Sequence, residues 1–487
     1  MNKFGLPSLE WEILHEPITI NNVGGIPGIV VTKNKLRIYR DEDYNLKGIL
    51  DFTGFSSEED YFNTQNSMAG SINKGFDIYL YHGDVSYTIE SAAIEKTRIT
   101  QSGEEEKNKG TAELILQRFK IKYNNRNDGT HFIKWYLNGP RNYLFYEGTE
   151  RTKIEKFIRK RRNSEKKEID SIEISRKSQS TGRDFLWIEL SDFQFLVSQV
   201  PTEFGPTWSS NVGIEYRTEW GRIPTEAEKE KIEELCSFVF GKQLIPIGFT
   251  ILDKKENIVE NYCNRPWCRT AKSYCSNFEY YPIRVEIPFS GRAQTIISQL
   301  LPKYCDICDT LRLQEALYYI WISREMPPGT NLPIFAAALE SIINGWFNSK
   351  SESHGVYLTK EKFLETIEEE INTIRKKLDL IFGTEIETSQ KIINKLLRAN
   401  EFGVMERYRL FFDEIKLKVE PHEWKAIDER HKFVHGHTRF NEADWKKIVL
   451  YVNTYETLLN KVILKLLEYS GTYIDRSIIG WKDKQLG

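Results

Sequence analysis

The sequence predicts an α+β protein, in which a β-rich, sandwich-like or barrel-like N-terminal domain precedes an all-helical C-terminal bundle. Two observations predict this class. Up to about residue 220, short segments alternate apolar and polar residues and are separated by Asn-Gly, Gly-Pro and Asp-Gly turns. From about residue 293, apolar residues recur every three or four positions, as they do along helices. A chain of 487 residues accommodates two or three domains, and we place the boundary between domains 1–292 and 293–487.

Several segments of the first domain have recognisable patterns. Strand-like alternation occurs at 76–81, 112–116, 132–137 and 185–190. A helix is expected over 225–240, because Thr225 can cap its first turn and Glu228 stands three residues later, as in a capping box. Strands are expected again at 244–253 and 280–288, with a cysteine-rich loop between them.

The second domain is expected to be a bundle of antiparallel helices joined by short links. Its predicted helices are 331–347, 359–382, 404–418, 421–434 and 444–469. The last of them carries Trp445, Ile448, Val452, Tyr455 and Leu459 at spacings of three and four, which indicates an amphipathic helix of about seven turns.

Composition excludes several classes of protein. The formal net charge of −2 and the pI of about 6.5 exclude a protein that is strongly basic throughout, although not a basic patch. The N-terminus has no secretory signal pattern, and no segment approaches the roughly 18 apolar residues of a membrane span. No phosphate-binding loop, dinucleotide fingerprint or His-Glu-x-x-His zinc motif is present. We therefore expect a cytoplasmic protein with no membrane partner.

Histidine is scarce, and its distribution singles out one segment. The chain has eight histidines, and four of them fall within the sixteen residues 422–437. The core of this segment is Arg430-x4-His435, near the end of the predicted helix 421–434, and Gly436 follows as a C-cap residue. The spacing alone is a weak signal, because such a pair arises easily by chance. Its weight comes from the helical surroundings.

These residue types suit RNA cleavage. RNA carries its own nucleophile, the 2′-hydroxyl, which must lose a proton while the leaving 5′-oxygen gains one. Histidine titrates near neutral pH and can do either. The transition state gathers negative charge on phosphate oxygens, to which a guanidinium offers fixed, bidentate donors. An arginine with one or two histidines can therefore cleave RNA without a metal ion.

Helical geometry constrains how the motif could work. On an ideal helix Arg430 and His435 lie about 140° apart, so they would not converge on one phosphate. His431 and His435 are four residues apart and share a face. One resolution is that the helix breaks before His435. Another is that two subunits bring their motifs together across a two-fold axis.

The motif resembles a known signature. Arg430-His431-x3-His435, followed by Gly436 and a long amphipathic helix, resembles the R-polar-x(3–4)-H signature of HEPN ribonucleases. The helical order is similar to the ApeA-like HEPN branch of bacterial anti-phage defence, and the segment 336–344 (AAALESIIN) resembles the early helix of that branch. This likeness covers about residues 300–475. The β-rich first half is similar in kind to the N-terminal domain of the same family.

The resemblance implies a function and a set of roles. It implies a metal-independent endoribonuclease that needs no catalytic cofactor, leaves 2′,3′-cyclic phosphate ends and acts as a HEPN homodimer with a composite site. The expected substrate is host RNA, with tRNA foremost, cleaved once the N-terminal domain senses a phage-derived trigger. By matching positions, Arg430 would bind and polarise the phosphate, with Lys432 beside it, and His435 would be the acid–base residue. His431 fills the polar position of the signature, and Glu340 would support the site from a neighbouring helix.

Other interpretations stay open. Arg430 could be a solvated cation that interacts with the helix dipole, and His435 a capping residue. The bundle would then be a non-catalytic sensor or adaptor. For Glu340 a purely structural role is as well supported as a catalytic one.

Five of the six cysteines lie between residues 263 and 308. The Cys-x2-Cys pair Cys305 and Cys308, together with Cys263 and Cys268, would suit a closed, structural zinc site, with Cys275 as a substitute ligand. The alternative is a set of ordinary buried thiols.

The segment 151–167 begins with Arg151 and carries eight further lysines and arginines. Such a run could bind RNA phosphates in a strongly salt-dependent manner, which gives a third interpretation, a zinc-stapled nucleic-acid-binding protein. We favour a solvated face or loop, since a run of charges is more often that.

Overall fold

A computed structural model describes residues 7–21, 23, 29–30, 35–52, 54–55, 75–102, 106–126, 128–162, 168–268, 270–275, 279–288, 290–350, 354–382, 386–434 and 442–487. Within these residues no helix is both long and apolar enough to cross a membrane. The chain divides into two compact units. The first comprises Met1–Tyr281 with Val285–Gln299, and the second comprises Pro282–Arg284 with Leu300–Gly487. The boundary expected at 292/293 lies at the start of a helix, Arg292–Ile307, and the division of the chain falls inside that helix.

The first unit is dominated by β-strands. They are β1 (Ile18–Asn21), β2 (Ile29–Val30), β3 (Lys35–Arg40), β4 (Leu46–Phe52), β5 (Gly54–Phe55), β6 (Phe76–His82), β7 (Val85–Ser102), β8 (Glu106–Ile115), β9 (Arg118–Tyr123), β10 (His131–Leu137), β11 (Glu147–Arg162), β12 (Glu168–Glu189), β13 (Phe193–Gln199), β14 (Val212–Gly221), β15 (Ile245–Leu252) and β16 (Ile258–Asn264). Its helices are α1 (Pro7–Glu10), α2 (Glu226–Phe240) and α3 (Ala271–Tyr274), and α4 (Arg292–Ile307) leads into the second unit.

Fourteen of these strands form one antiparallel sheet. Its order is β1-β3-β4-β8-β7-β9-β16-β15-β10-β14-β13-β12-β11, with β6 added against β7. The long strand β7 pairs with β9 over its first part and with β8 over the rest, and it thereby joins the two halves of the sheet. Among the described strands the order begins at β1 and ends at β11, so they form an open sheet and not a closed barrel.

The periodicity of the sequence is expressed as alternating burial. β3 has the pattern expected of a strand with one buried face, and Leu36 and Ile38 point into an apolar core shared with Leu50, Leu114 and Ile121. A second apolar cluster contains Trp135 and other residues of β10 and β15. These two clusters lie on the two parts of the sheet and account for most of its buried apolar side chains.

The predicted elements of the first unit are largely confirmed. The strands expected at 76–81, 132–137 and 244–253 are present as β6, β10 and β15, and those at 112–116 and 185–190 fall at the ends of β8 and β12. Helix α2 begins with the expected capping box, in which the Thr225 hydroxyl accepts from the Glu228 backbone and the Glu228 carboxylate accepts from Thr225.

Two predictions in this region are wrong. Residues 280–288 form no strand where the structure describes them. Pro282 and Pro288 lack backbone donors, and the described backbone hydrogen bonds of this segment include Tyr280 N to Gly241 O at 3.1 Å and Ile474 N to Pro282 O at 3.0 Å. The region between the expected strands is not a loop throughout, because β16 lies there and carries Cys263.

The second unit is helical, as expected from its periodicity. Its helices are α5 (Leu313–Glu325), α6 (Leu332–Asn348), α7 (Lys360–Phe382), α8 (Ile386–Leu397), α9 (Val404–Glu414), α10 (Pro421–Val434) and α11 (Glu442–Leu466), and a short hairpin of β17 (Thr472–Asp475) and β18 (Lys482–Gln485) follows. The α+β class is thus confirmed. The helix expected over 404–418 ends earlier, at Glu414, because Lys416 adopts a left-handed φ of 55° that closes the helix.

Candidate active site

Arg430 lies on the buried face of α10. Glu423, Ala426, Ile427 and Arg430 are all buried, and they follow one another at spacings of three, one and three residues along the helix. This spacing places them on one stripe of the helix, which faces the interior of the unit. The Arg430 side chain is 5% exposed, so the interpretation of Arg430 as a solvated cation at a helix end is wrong.

Two neighbouring helices supply partners for this buried guanidinium. Arg430 Nη2 lies 2.8 Å from Glu340 Oε1 on α6, and Arg430 Nη1 donates to the hydroxyl of Tyr408 on α9. The Tyr408 hydroxyl in turn donates to Glu340 Oε1 at 3.3 Å, which closes a triangle of three side chains. The guanidinium carbon also lies 5.2 Å from the centre of the Tyr408 ring, within the range of a cation–π interaction.

Tyr455 of α11 completes the group, which we call the Arg430 cluster: Arg430, Glu340, Tyr408 and Tyr455. Burial raises the pKa of Tyr455 to about 12, although the positive charge of Arg430 works against this shift. Burial likewise raises the pKa of Tyr408 well above its usual range. Both phenols are therefore neutral at physiological pH. The Tyr408 hydroxyl hydrogen-bonds to Arg430 and Glu340, whereas that of Tyr455 has no hydrogen-bond partner among the described residues.

Arg430 keeps its charge in this setting. Burial by itself lowers the pKa of Arg430, but the adjacent Tyr408 and Tyr455 and the carboxylate of Glu340 outweigh burial, and the pKa is raised. A second contact near the cluster orients α9 on α6, since Arg407 Nη2 donates to Asn344 Oδ1 at 3.0 Å. The cluster is therefore a fixed cation at a point where four helices, α6, α9, α10 and α11, come together.

Solvent reaches the cluster from the side of Glu340. The Glu340 side chain is 45% exposed, whereas that of Arg430 is 5% exposed. A phosphate approaching from solvent would therefore meet a carboxylate first, and it could bind the guanidinium only by displacing Glu340. Chemically, the cluster can hold one positive charge in place and exchange its anionic partner.

The structure brings together two of the site residues named from the sequence and leaves the others undescribed. Arg430 and Glu340 are in direct contact. His431 and Lys432 belong to α10, but their side chains lie outside the described part of the chain. His435 lies outside the described residues altogether. The acid–base half of the expected site thus stays a prediction.

Tyr408 and Tyr455 were not identified from the sequence. Both stand at apolar positions of amphipathic helices, where an aromatic residue ordinarily fills the core. The signal that could have identified them is pairing: once Arg430 is known to be buried, its helix neighbours must supply acceptors, and tyrosine hydroxyls are suited to that.

The expected zinc ligands do not fit a metal site in what the structure describes. No group of three or more His, Cys, Asp or Glu side chains among the described residues is arranged to hold a metal ion. Cys263 is packed into one apolar cluster of the first unit and Cys268 into the other, together with Cys275. Burial and the nearby carboxylate of Glu12 raise the pKa of Cys263 well above its usual range, which disfavours the thiolate that zinc binds.

Of the other predicted pair, Cys305 lies in the last turn of α4 and Cys308 directly follows that helix. We assign no role to zinc, and the predicted site on Cys263, Cys268, Cys305 and Cys308 stays a prediction. Metal analysis of the purified protein would test it.

The described part of the basic run, residues 151–162, is a strand and not a loop, and residues 163–167 lie outside the described residues. Residues 151–162 belong to β11, which pairs with β12 in a two-stranded ribbon that continues beyond the point where β12 leaves β13 at Phe185. Arg151 at its base is paired with Glu10 and Asp184, whose carboxylate oxygens lie 3.0 and 2.6 Å away. Lys160, farther along the ribbon, is exposed, as expected of a solvated face.

Comparison of the sequence with protein-family models and with curated proteins finds no match.

Proposed function

We propose that this protein is a metal-independent endoribonuclease of the HEPN type, with Arg430 and His435 at its active site. The observation that carries the proposal is the burial of Arg430 in a cluster of four helices. The neighbours of Arg430 keep it charged and fix its orientation, and solvent reaches it past one carboxylate. Phosphate-transfer sites require a cation of this kind. The motif Arg430-x4-His435 pairs this buried arginine with a histidine that can act as an acid or a base.

The proposed reaction is a transesterification that needs no co-reactant. A histidine takes the proton of the RNA 2′-hydroxyl, the 2′-oxygen forms a bond to phosphorus, and the bond from phosphorus to the 5′-oxygen breaks. An imidazolium gives a proton to the 5′-oxygen, which leaves a 2′,3′-cyclic phosphate and a 5′-hydroxyl. His435 and His431 are the proposed acid–base pair. Arg430, with Lys432 beside it, stabilises the charge on the phosphate.

Glu340 has two roles in this proposal. Before RNA binds, it neutralises Arg430 and holds the guanidinium in place. When RNA binds, the phosphate displaces it, since carboxylate and phosphate offer the same two-oxygen acceptor to the same donors. Glu340 is therefore a positioning residue and also a barrier to binding of weak substrates.

The direct test is cleavage of total tRNA in EDTA. We expect wild type to cut and to leave cyclic phosphate ends, and we expect Arg430→Lys and His435→Ala to lower the rate at least ~100-fold. Matched controls are Arg409→Lys and His422→Ala, since both residues are exposed and lie on α9 and α10. Circular dichroism checks the fold of each variant. Equal cleavage by wild type and the two motif variants would refute the assignment.

A composite dimeric site has its own test. If each site takes Arg430 from one subunit and His435 from the other, a mixed dimer of Arg430→Lys and His435→Ala contains one intact site. Equal mixing should then restore about a quarter of wild-type activity, because half of the dimers are mixed and each has one of two sites. No recovery after subunit exchange would place both residues in one subunit.

The biological setting follows from the same proposal. Host RNA is the proposed substrate, the cytoplasm the proposed location, and the sheet unit the proposed receptor of a phage-derived trigger that releases the nuclease. If purified protein is inactive, the same variants should be compared in infected cells. Loss of tRNA that depends on Arg430 and His435 after infection would support this setting, and intact tRNA in wild-type cells would count against it.

One observation favours a second candidate. Glu340 and Tyr408 already occupy the described donors of Arg430, so the cluster could be a structural network in a non-catalytic sensor or adaptor. RNA binding without cleavage, unchanged by His435→Ala, would favour this candidate.

A further inference from the structure

A polar cavity of about 260 Å³ lies at the ends of four interior strands of the large sheet, β10, β13, β14 and β15. The strand registers explain its position. Tyr136 near the end of β10 and Gln199 at the end of β13 both lie opposite Val212, the first residue of β14, and Leu137 lies opposite Ile245, the first residue of β15. The loops that join these strand ends therefore start side by side, and the cavity lies among them.

The lining of this cavity is mostly polar. It consists largely of side-chain amides and hydroxyls, with the cations Arg141 and Lys242 and the thiol of Cys275. No carboxylate belongs to the lining formed by the described residues. The charge of the cavity wall therefore favours an anion over a cation.

Lys242 is the most unusual group in the wall. Its side chain is 8% exposed, and within the described part of the chain its ammonium donates no hydrogen bond. Glu279 Oε1 lies 3.8 Å from Lys242 Nζ, but that carboxylate already accepts from the Arg141 backbone and from the hydroxyls of Tyr143 and Tyr281. Burial lowers the pKa of Lys242, and the charge of Glu279 opposes that shift. The ammonium thus has an ion-pair partner at 3.8 Å but no acceptor within hydrogen-bonding distance among the described residues.

Two buried side-chain amides in the wall have oxygens that lack hydrogen-bond donors in the part of the chain that the structure describes. Asn138 and Asn211 are about 95% buried, and the Oδ1 atom of each has no hydrogen-bond partner among the described residues. Their Nδ2 atoms are already used, since they donate to Gln243 O at 2.9 Å and to Pro206 O at 3.2 Å. Within the described part of the chain, the wall therefore holds an ammonium that donates no hydrogen bond and two amide oxygens that accept none. Buried polar groups in proteins are seldom left so.

We propose that this cavity binds a small organic oxyanion, a phosphate or a carboxylate, that also carries hydroxyl groups. Lys242 and Arg141 bind the oxyanion, and Asn138 and Asn211 accept hydrogen bonds from the hydroxyls. The volume corresponds to roughly nine molecules of liquid water, so the ligand is of metabolite size and not a polymer. The proposal does not depend on ribonuclease activity.

The test is binding of defined probes to the full-length protein by isothermal titration calorimetry at matched ionic strength. Glycerol 3-phosphate and glycerate are the phosphate and carboxylate probes, and inorganic phosphate and glycerol each lack half of the expected features. We expect saturable binding of at least one of the first two, about tenfold tighter than inorganic phosphate, and none of glycerol. The stronger of the two identifies the oxyanion.

Variants localise the site. Lys242→Met should weaken binding at least tenfold, whereas Lys254→Met, at an exposed lysine of the same unit, should leave it unchanged. If Lys242→Met does not fold, Arg141→Gln and Asn211→Ala serve instead. Bound probe should also slow alkylation of Cys275 in wild type, followed by mass spectrometry with Cys305 as internal reference. Absence of saturable binding, an unchanged affinity in all three variants, or binding of glycerol as tight as that of the anions would overturn the proposal.

Discussion

Arg430 in the helical unit and Lys242 in the sheet unit are both more than nine-tenths buried, but their surroundings differ. Arg430 has a carboxylate at 2.8 Å and a phenol hydroxyl within hydrogen-bonding distance. Lys242 has a carboxylate at 3.8 Å that is engaged by other donors, and it lines a cavity. Taking a charge out of water is costly. The protein compensates the first cation from within, and in our proposal a bound oxyanion compensates the second.

This difference distinguishes two kinds of buried cation, those whose hydrogen-bond donors are used and those whose donors are unused. A cation whose donors are used stabilises the local structure, and it becomes functional only when its partner is exchanged. A cation whose donors are unused, beside a space of suitable size, indicates binding directly. The helical unit offers a reference for the first kind, because Lys461 of α11 is paired with Glu423 of α10 through both carboxylate oxygens at 2.8 and 2.9 Å.

The largest effect is expected at this reference pair. Lys461 and Glu423 side chains are 5% and 3% exposed, so Lys461→Met leaves a carboxylate buried without a counter-charge. We expect a loss of about 3–5 kcal/mol in the free energy of unfolding, measured by urea titration at 222 nm. The double variant Lys461→Met with Glu423→Leu should recover most of it. A single variant as stable as wild type would show that full pairing has little value here, and the comparison would fail.

The fold could be predicted from the sequence where local periodicity decides it. The helices at 331–347 and 359–382 are present within one residue, because apolar spacing and capping residues act over a few positions. The order of the strands could not be predicted. Trp135 pairs with Gly248, over a hundred residues away, and β16 was missed because its burial depends on such neighbours.

A smaller effect is expected at the pair of Arg430 and Glu340, in which Glu340 is partly exposed. Glu340→Ala removes one of two partners of Arg430, but Tyr408 and the cation–π contact remain. We expect a loss of about 1–3 kcal/mol by the same urea titration. Glu340→Gln keeps an acceptor oxygen and should lose less. If Glu340 also acts as a barrier to weak substrates, Glu340→Gln should raise the affinity for RNA while Arg430→Lys lowers it. A stability unchanged by Glu340→Ala would mean that Tyr408 alone compensates the charge.

The sites were only partly predictable. Arg430 was identified from its motif and Glu340 from a family resemblance. The contact between them does not follow from their spacing along the chain. Tyr408 and Tyr455 look like ordinary core aromatics in an amphipathic helix. Lys242 has no motif at all, because the cavity that gives it meaning is assembled from loops that are distant in sequence.

At Lys242 the sign of the effect should reverse. Lys242→Met removes a buried charge that the protein compensates poorly, so we expect the variant to be as stable as wild type or more stable, by up to about 1 kcal/mol. The pH dependence follows from the lowered pKa of Lys242. Between that pKa and the ordinary value of 10.5, the unfolded chain binds more protons, so wild-type stability gains from this group as pH rises.

The advantage of Lys242→Met should therefore be largest near pH 7 and shrink as the pH approaches 10.5. Urea titrations of wild type, Lys242→Met and Lys254→Met at several pH values measure it. A marked loss of stability in Lys242→Met near pH 7 would mean that the protein itself compensates this cation, and Lys242 would then belong with Arg430.

The smallest effect is expected for a cation that is not buried. The Arg222 guanidinium holds the pKa of Glu228 to about 2 through paired hydrogen bonds at the start of α2, but the two side chains are 44% and 30% exposed. Arg222→Gln should therefore lower the free energy of unfolding by no more than about 0.2–1 kcal/mol near pH 7, since water and salt screen exposed pairs.

A carboxyl with a lowered pKa contributes stability above its unfolded pKa, and that contribution is lost as pH falls through the folded pKa. The difference between wild type and Arg222→Gln should accordingly persist down to about pH 4.5 and vanish towards pH 2. Urea titrations across this range, repeated in high salt, measure it. A loss as large as that of Lys461→Met would show that exposure does not rank these cations.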